Sequence, residues 1–103
     1  MAIGHILEHP TAGQEQMDRV AQRLRETGPV PPEGARLVLS GPAEPGWRVI
    51  AVWDSREALD RFLAERLRPA YRSTGLSVDD ARITVFEVRN LMAGDLVGAP
   101  QPA

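Results

Sequence analysis

The chain has no cysteine and no lysine among its 103 residues. Without cysteine it has no disulfide, no thiolate nucleophile and no thiolate-bound metal. Without lysine it cannot form a Schiff base through a side-chain amine, and all 12 basic residues are arginine. No run approaches the ~18 apolar residues a membrane-spanning helix needs, and no basic segment followed by an apolar stretch opens the chain. A soluble, cytoplasmic protein with no membrane partner is therefore expected. There is no basic excess either. Fourteen acidic groups against 12 basic ones leave a net charge of −2, so nucleic acid is not an expected partner. The glycines form neither GxGxxG nor GxxxxGK(S/T), and no group has metal-ligand spacing, so no cofactor and no metal is implied.

What is present is an ordinary globular composition, 43% hydrophobic and 25% charged, in a length that accommodates one domain. Residues 3–9 read as a short apolar strand ended by Pro10. Thr11 with Gln14 resembles a capping box. Met17, Val20, Ala21 and Leu24 then recur at helical spacing up to Gly28 and Pro29, which predicts a helix over 14–26. A stiff, proline-rich connection, GPVPPEG at 28–34, leads to a second strand over 37–40. Residues 41–46 read as a hairpin loop into a third strand, WRVIAVW at 47–53, rich in β-branched and aromatic residues.

Asp54 or Ser55 caps a second helix, with Glu57 placed to complete a box with Asp54. Its apolar face is Ala58, Leu59, Phe62, Leu63 and Leu67, and Pro69 is expected to kink or restart it before Gly75. ITVFEVRN at 83–90 is the fourth strand. A single domain over 1–93 is expected, with 94–103 a loose tail of small residues and prolines.

This β-α-β-β-α-β order implies an α+β domain with an antiparallel sheet covered by helices on one face. On the third strand Arg48, Ile50 and Val52 point one way, and Trp47, Val49, Ala51 and Trp53 the other. Both sets are largely apolar, yet two helices cover only one face. The second face must be buried by something else, and a second copy of the chain is the expected partner. Function is expected on that second face, around Trp53 and His5.

With these elements placed, GWRVIAVWDSREALDRFLAERLRPA at 46–70 and ITVFEVRNL at 83–91 resemble the dimeric α+β barrel superfamily, over about residues 3–91. The likeness is greatest to its branch of small antibiotic-biosynthesis-monooxygenase-like proteins. The resemblance implies a ferredoxin-like fold and a homodimer whose sheets face each other, with a cavity between each sheet and its helices or loops. The superfamily hosts cofactor-free oxygenases, heme-degrading enzymes, isomerases, cyclases, decarboxylases and proteins without known activity, so fold alone does not select among them. Trp53 matches the Trp that heme-degrading members place at the end of the third strand. Their first-strand Asn and second-helix His are missing here, which disfavours heme.

The candidate catalytic residues are His5 and Arg89. His5, on one strand face with Ile3 and Leu7, would serve as a general base or as a proton donor to a substrate oxygen. Its plain alternative is a hydrogen-bonded histidine at a sheet edge or dimer seam. Arg89 would bind a carboxylate or enolate with Glu87 orienting it, and the plain alternative is an ion pair across the dimer interface. Trp53 is the candidate stacking wall of a substrate cavity; Trp47, Tyr71 and His9 complete the substrate-binding set. His9, beside Pro10, is expected to be partly exposed. His5 and His9 stand ~13 Å apart along a strand, too far to share a metal. The leading expectation is a cofactor-independent enzyme (monooxygenase, isomerase or cyclase) acting on a hydrophobic aromatic or polyketide-like molecule. The alternative is a non-catalytic dimeric domain that binds a small hydrophobic ligand or serves assembly alone.

Overall fold

A computed structural model describes residues 1–94; of the expected tail, residues 95–103 lie outside the described residues. Four strands, β1 (Ile3–His9), β2 (Ala35–Pro42), β3 (Trp47–Trp53) and β4 (Arg82–Glu87), form one antiparallel sheet in the order β2-β3-β1-β4. Helix α1 (Gln14–Thr27) follows β1, and a second helical segment follows β3. The fold is the ferredoxin-like α+β arrangement that the element order implies.

The second helical segment is continuous but not uniform. It runs as α2 (Arg56–Phe62), a π-helical turn over Leu63–Leu67, and α3 (Arg68–Arg72). The expected break at Pro69 thus appears upstream of the proline as a widened turn. A proline clashes with the carbonyl four residues before it, and a π turn relieves that crowding. Ser55 caps α2, its hydroxyl accepting from the Ala58 N–H at 3.1 Å. Asp54 instead pairs with Arg36. At α1 the cap is Gly13, whose N–H donates to the Gln16 side chain at 3.0 Å. The Thr11–Gln14 box does not form, because Thr11 lies against the ring of His9, 3.4 Å from Nδ1.

Register decides which sheet face is covered. Ile3, His5, Leu7 and His9 of β1 stand opposite Trp53, Ala51, Val49 and Trp47 of β3, and successive side chains alternate between faces. This set packs under the helices. Leu7, Val20, Leu67, Ala70 and Tyr71 form the larger core, and Ala51, Trp53 and Leu59 the smaller. The other face carries Gly4, Ile6, Leu37, Leu39, Ile50, Val52 and Phe86. No helix covers it. Leu39 and Phe86 remain 49% and 47% exposed. Gly4 is required there because the Phe86 ring lies over it; a Cβ at Gly4 would meet ring atoms at 2.4–2.8 Å. His5 and Trp53 therefore belong to the helix-covered face, not to the second face where sequence reading located the site.

Candidate functional site

His5 is 2% exposed and sits one diagonal step from Trp53, since His5 pairs with Ala51 and Ile3 with Trp53. The indole Nε1–H of Trp53 donates to His5 Nδ1 at 2.9 Å. An acceptor at Nδ1 requires the neutral tautomer with its proton on Nε2. In this arrangement His5 offers a hydrogen-bond donor, and its basic nitrogen is already occupied. The proton-donor role fits this geometry and the general-base role does not. The Trp53 ring in turn packs on Phe62, with centroids 5.2 Å apart.

Burial pushes the His5 imidazole below its usual value of 6.5, as expected when a charged form would lose its hydration. The unfolded chain therefore binds a proton on His5 at a higher pH than the folded chain does. Stability contributed this way is complete above about pH 6.5 and declines as pH falls toward the lower folded value. Melting temperatures followed by differential scanning fluorimetry are expected to fall from about pH 6.5 downward, and His5→Gln is expected to flatten that fall.

Four residues further along β1, His9 is 1% exposed, not partly exposed as its place beside Pro10 implied. The chain around Leu76–Val78 folds over the strand end, and His9 Nε2 lies 3.1 Å from the Ser77 carbonyl, to which it donates. Its ring also meets Tyr71 edge-on, centroids 5.9 Å apart. Tyr71 is fully buried and its hydroxyl has no partner among the described residues. Burial raises its pKa to about 12, so the phenol stays protonated. Trp47 is half-buried against the same cluster.

Arg89 and Glu87 stand apart from both histidines. Arg89 lies beyond the end of β4 with its side chain 81% exposed, and it pairs with Glu87 of the same chain at 3.1 Å. The candidate residues thus form one buried hydrogen-bonded pair, His5–Trp53, one buried edge-on ring contact, His9–Tyr71, and one surface ion pair, Glu87–Arg89. Sequence reading missed Phe62 as a site residue because it reads simply as helix core. It missed Arg66 because an arginine on an amphipathic helix reads as solvated. Arg66 actually donates to the Leu24 and Pro29 carbonyls, both at 2.7 Å, and lies over the Phe62 ring.

One concavity of about 120 Å³ lies between the Pro29–Glu33 connection and α2. A second, a groove of about 520 Å³, follows the β2–β3 hairpin. Neither is lined by His5 or Trp53. Among the described residues no helix is long and apolar enough to cross a membrane, and no three His, Asp or Glu side chains gather as metal ligands.

No protein-family model matches the sequence, and no curated protein matches it. Solved structures do match in fold. A dimeric ferredoxin-like protein of unknown function from Thermobifida fusca is 17% identical, with 85% of this chain and 92% of that one covered, at a TM-score of 0.61. SnoaB, a cofactor-independent oxygenase from Streptomyces nogalater, is 16% identical over 90% of this chain and 98% of its own, at 0.56. A Deinococcus radiodurans protein provisionally assigned as an antibiotic biosynthesis monooxygenase is 22% identical over 92% and 99%, at 0.55. The chain has the ferredoxin-like α+β fold of these dimeric ferredoxin-like and antibiotic-biosynthesis-monooxygenase-like proteins.

Proposed function

We propose that the protein is a homodimeric, cofactor-independent enzyme acting on a small hydrophobic molecule held between its sheet and its helices. One observation carries this reading: two imidazoles and a phenol are buried on the helix-covered side of a 103-residue chain. Buried polar groups cost stability unless fully partnered, and the Tyr71 hydroxyl has no partner among the described residues. A domain selected for packing alone would place apolar side chains there. Such departures from a consistent core concentrate where chemistry is done.

In this reading the neutral His5, oriented by the Trp53 indole, presents Nε2–H to a substrate oxygen. As a proton leaves the substrate, charge builds on that oxygen and the imidazole stabilises it without itself becoming an imidazolium. That proton passes to solvent water, which returns one to the rearranged product in an isomerisation or cyclisation. Oxygenation adds dioxygen as the co-substrate. The fold shared with SnoaB, an oxygenase described as cofactor-independent, supports this class of chemistry.

The homodimer rests on the open sheet face. Leu37, Leu39, Ile50, Ile6 and Phe86 form an apolar surface that the helices do not reach, and a second sheet is its simplest cover. Dimeric ferredoxin-like proteins of the same fold support it.

A second reading, a non-catalytic dimeric domain, is favoured by the mutual satisfaction of His5 and Trp53, with neither concavity reaching them. Turnover separates the two. Anthrone and 1-naphthol, a carbon acid and a phenol, are incubated with the protein under air while oxygen uptake and products are followed. Conversion by the wild type and a rate at least ~100-fold lower in His5→Gln are expected. No conversion of either compound, or equal rates in the two proteins, contradicts the enzyme reading and leaves the second.

A further inference from the structure

The open sheet face differs from one end to the other. Strand register sets its residues in rows that cross all four strands. Leu37, Val52, Gly4 and Phe86 make the row at one end, and Leu39, Ile50, Ile6 and Thr84 the row in the middle. At the other end Gly41, Arg48, Glu8 and Arg82 stand side by side. The β2–β3 loop adds Glu44, which lines the groove there with Arg48, Leu39 and Ile50. From the β2 edge to the β4 edge, the charges of this end therefore run minus, plus, minus, plus. Arg48 and Glu8 pair at 2.9 Å, yet their side chains stay 50% and 41% exposed. Glu44 and Arg82 enter no salt bridge among the described residues.

An alternating row of this kind is complementary to its own reversal. A symmetric dimer sets the same patch of both subunits against each other, so the direction of the two-fold axis decides what the charged row meets. With the axis along the strands, strand order is reversed and like ends coincide. Arg48 then faces the partner's Glu8, and Arg82 faces the partner's Glu44. Ile50 faces the partner's Ile6, and Leu39 the partner's Thr84. With the axis across the strands, the two ends are exchanged. The charges then lie against the Leu37–Phe86 row, where nothing neutralises them, and burying an unpaired charge costs on the order of several kcal/mol.

We infer that the second copy docks like end on like end, with the two-fold axis along the strands, and that the Glu44–Arg48–Glu8–Arg82 row fixes this arrangement. This rests on the homodimer proposed above. Its strands lie within about 30° of the first subunit's, as in aligned sheet packing. The apolar rows supply the buried area, and the charged row rejects the exchanged arrangement, since opposed charges contribute more to register than to affinity.

The test uses charge reversal at the centre of the row. Glu8→Arg places two like charges opposite each other across the interface, and so does Arg48→Glu. Each variant alone is expected to associate at least ~10-fold more weakly than the wild type. Mixed together, the two variants restore both pairs, and native mass spectrometry is expected to show the mixed dimer favoured at least ~10-fold over either parent dimer. Losing the pair within one chain costs the subunit little, because both side chains are partly exposed; circular dichroism checks that each variant is folded. A second arm uses the absence of native cysteine. A short bismaleimide is expected to link Leu39→Cys protein to Thr84→Cys protein in a mixture, and neither variant to itself. With the ends exchanged, Leu39 and Thr84 would each meet their own copies, and each variant alone would cross-link. Self-linking of either cysteine variant, no link in their mixture, or no preference for the mixed charge dimer would overturn the inference while the homodimer stands. A wild type of single-chain mass would overturn both.

Discussion

Replacing Trp53 by alanine is expected to lower the free energy of unfolding by about 3–5 kcal/mol, a large share of the roughly 5–15 kcal/mol by which small domains are stable. Trp53 is buried at the end of β3, packs with Ala51 and Leu59, and meets Phe62 on one side and His5 on the other. Alanine would leave a cavity across the strand-to-helix junction and an imidazole without its donor. Trp53→Phe separates the two effects. It keeps an aromatic ring and most of the volume while removing the N–H with the rest of the five-membered ring, so a loss of about 1–3 kcal/mol is expected, chiefly from the unsatisfied His5 Nδ1. Adding His5→Leu to Trp53→Phe removes both polar partners and is expected to recover part of that loss. Urea unfolding of the three variants measures these differences. A Trp53→Phe variant as stable as the wild type would mean that the hydrogen bond contributes nothing.

Placing a charge on the open sheet face is expected to take the proposed dimer apart. Ile50 stands between Ile6 and Leu39 in the middle of that face. In a dimer, Ile50→Asp would bury a carboxylate whose neighbouring cation on that face, Arg48, is already paired with Glu8, weakening association by at least ~2–4 kcal/mol, or about 30–1000-fold. The subunit itself should stay folded, because in the lone chain the new carboxylate can reach water. Gln22→Asp, on the exposed side of α1, is expected to leave association unchanged. Size-exclusion chromatography over a range of concentrations, with circular dichroism to check the fold, distinguishes loss of the dimer from loss of structure.

Much of this fold could be read from local chemistry. β1 and β3 have the bounds that Pro10, Gly46 and the apolar runs indicated. The other two strands depend on their partners. β2 extends beyond 37–40 because β3 offers register partners to Ala35, past an irregularity, and to Gly41 and Pro42. β4 stops at Glu87 because β1 begins at Ile3; a bond from the Val88 N–H to the Ala2 carbonyl is the last link, and among the described residues Arg89 has no register partner on a neighbouring strand.

The site was less legible. Alternation along β3 showed two apolar faces but could not say which one the helices cover, and the antiparallel register that sets His5 beside Trp53 joins residues 48 positions apart. His9 read as exposed because the backbone that covers it comes from Ser77, 68 positions away. The placement of Arg66 depends on the π turn that carries it, for which the helical spacing gives no sign.

The measurement that bears most directly on the central claim, a subunit with its site under the helices and its open face buried by a second copy, is sedimentation equilibrium of the unmodified protein at micromolar concentration. A mass of twice the 11.3 kDa chain, falling to the single-chain mass in Ile50→Asp, is the expected result. A single 11.3 kDa species throughout that range would contradict it.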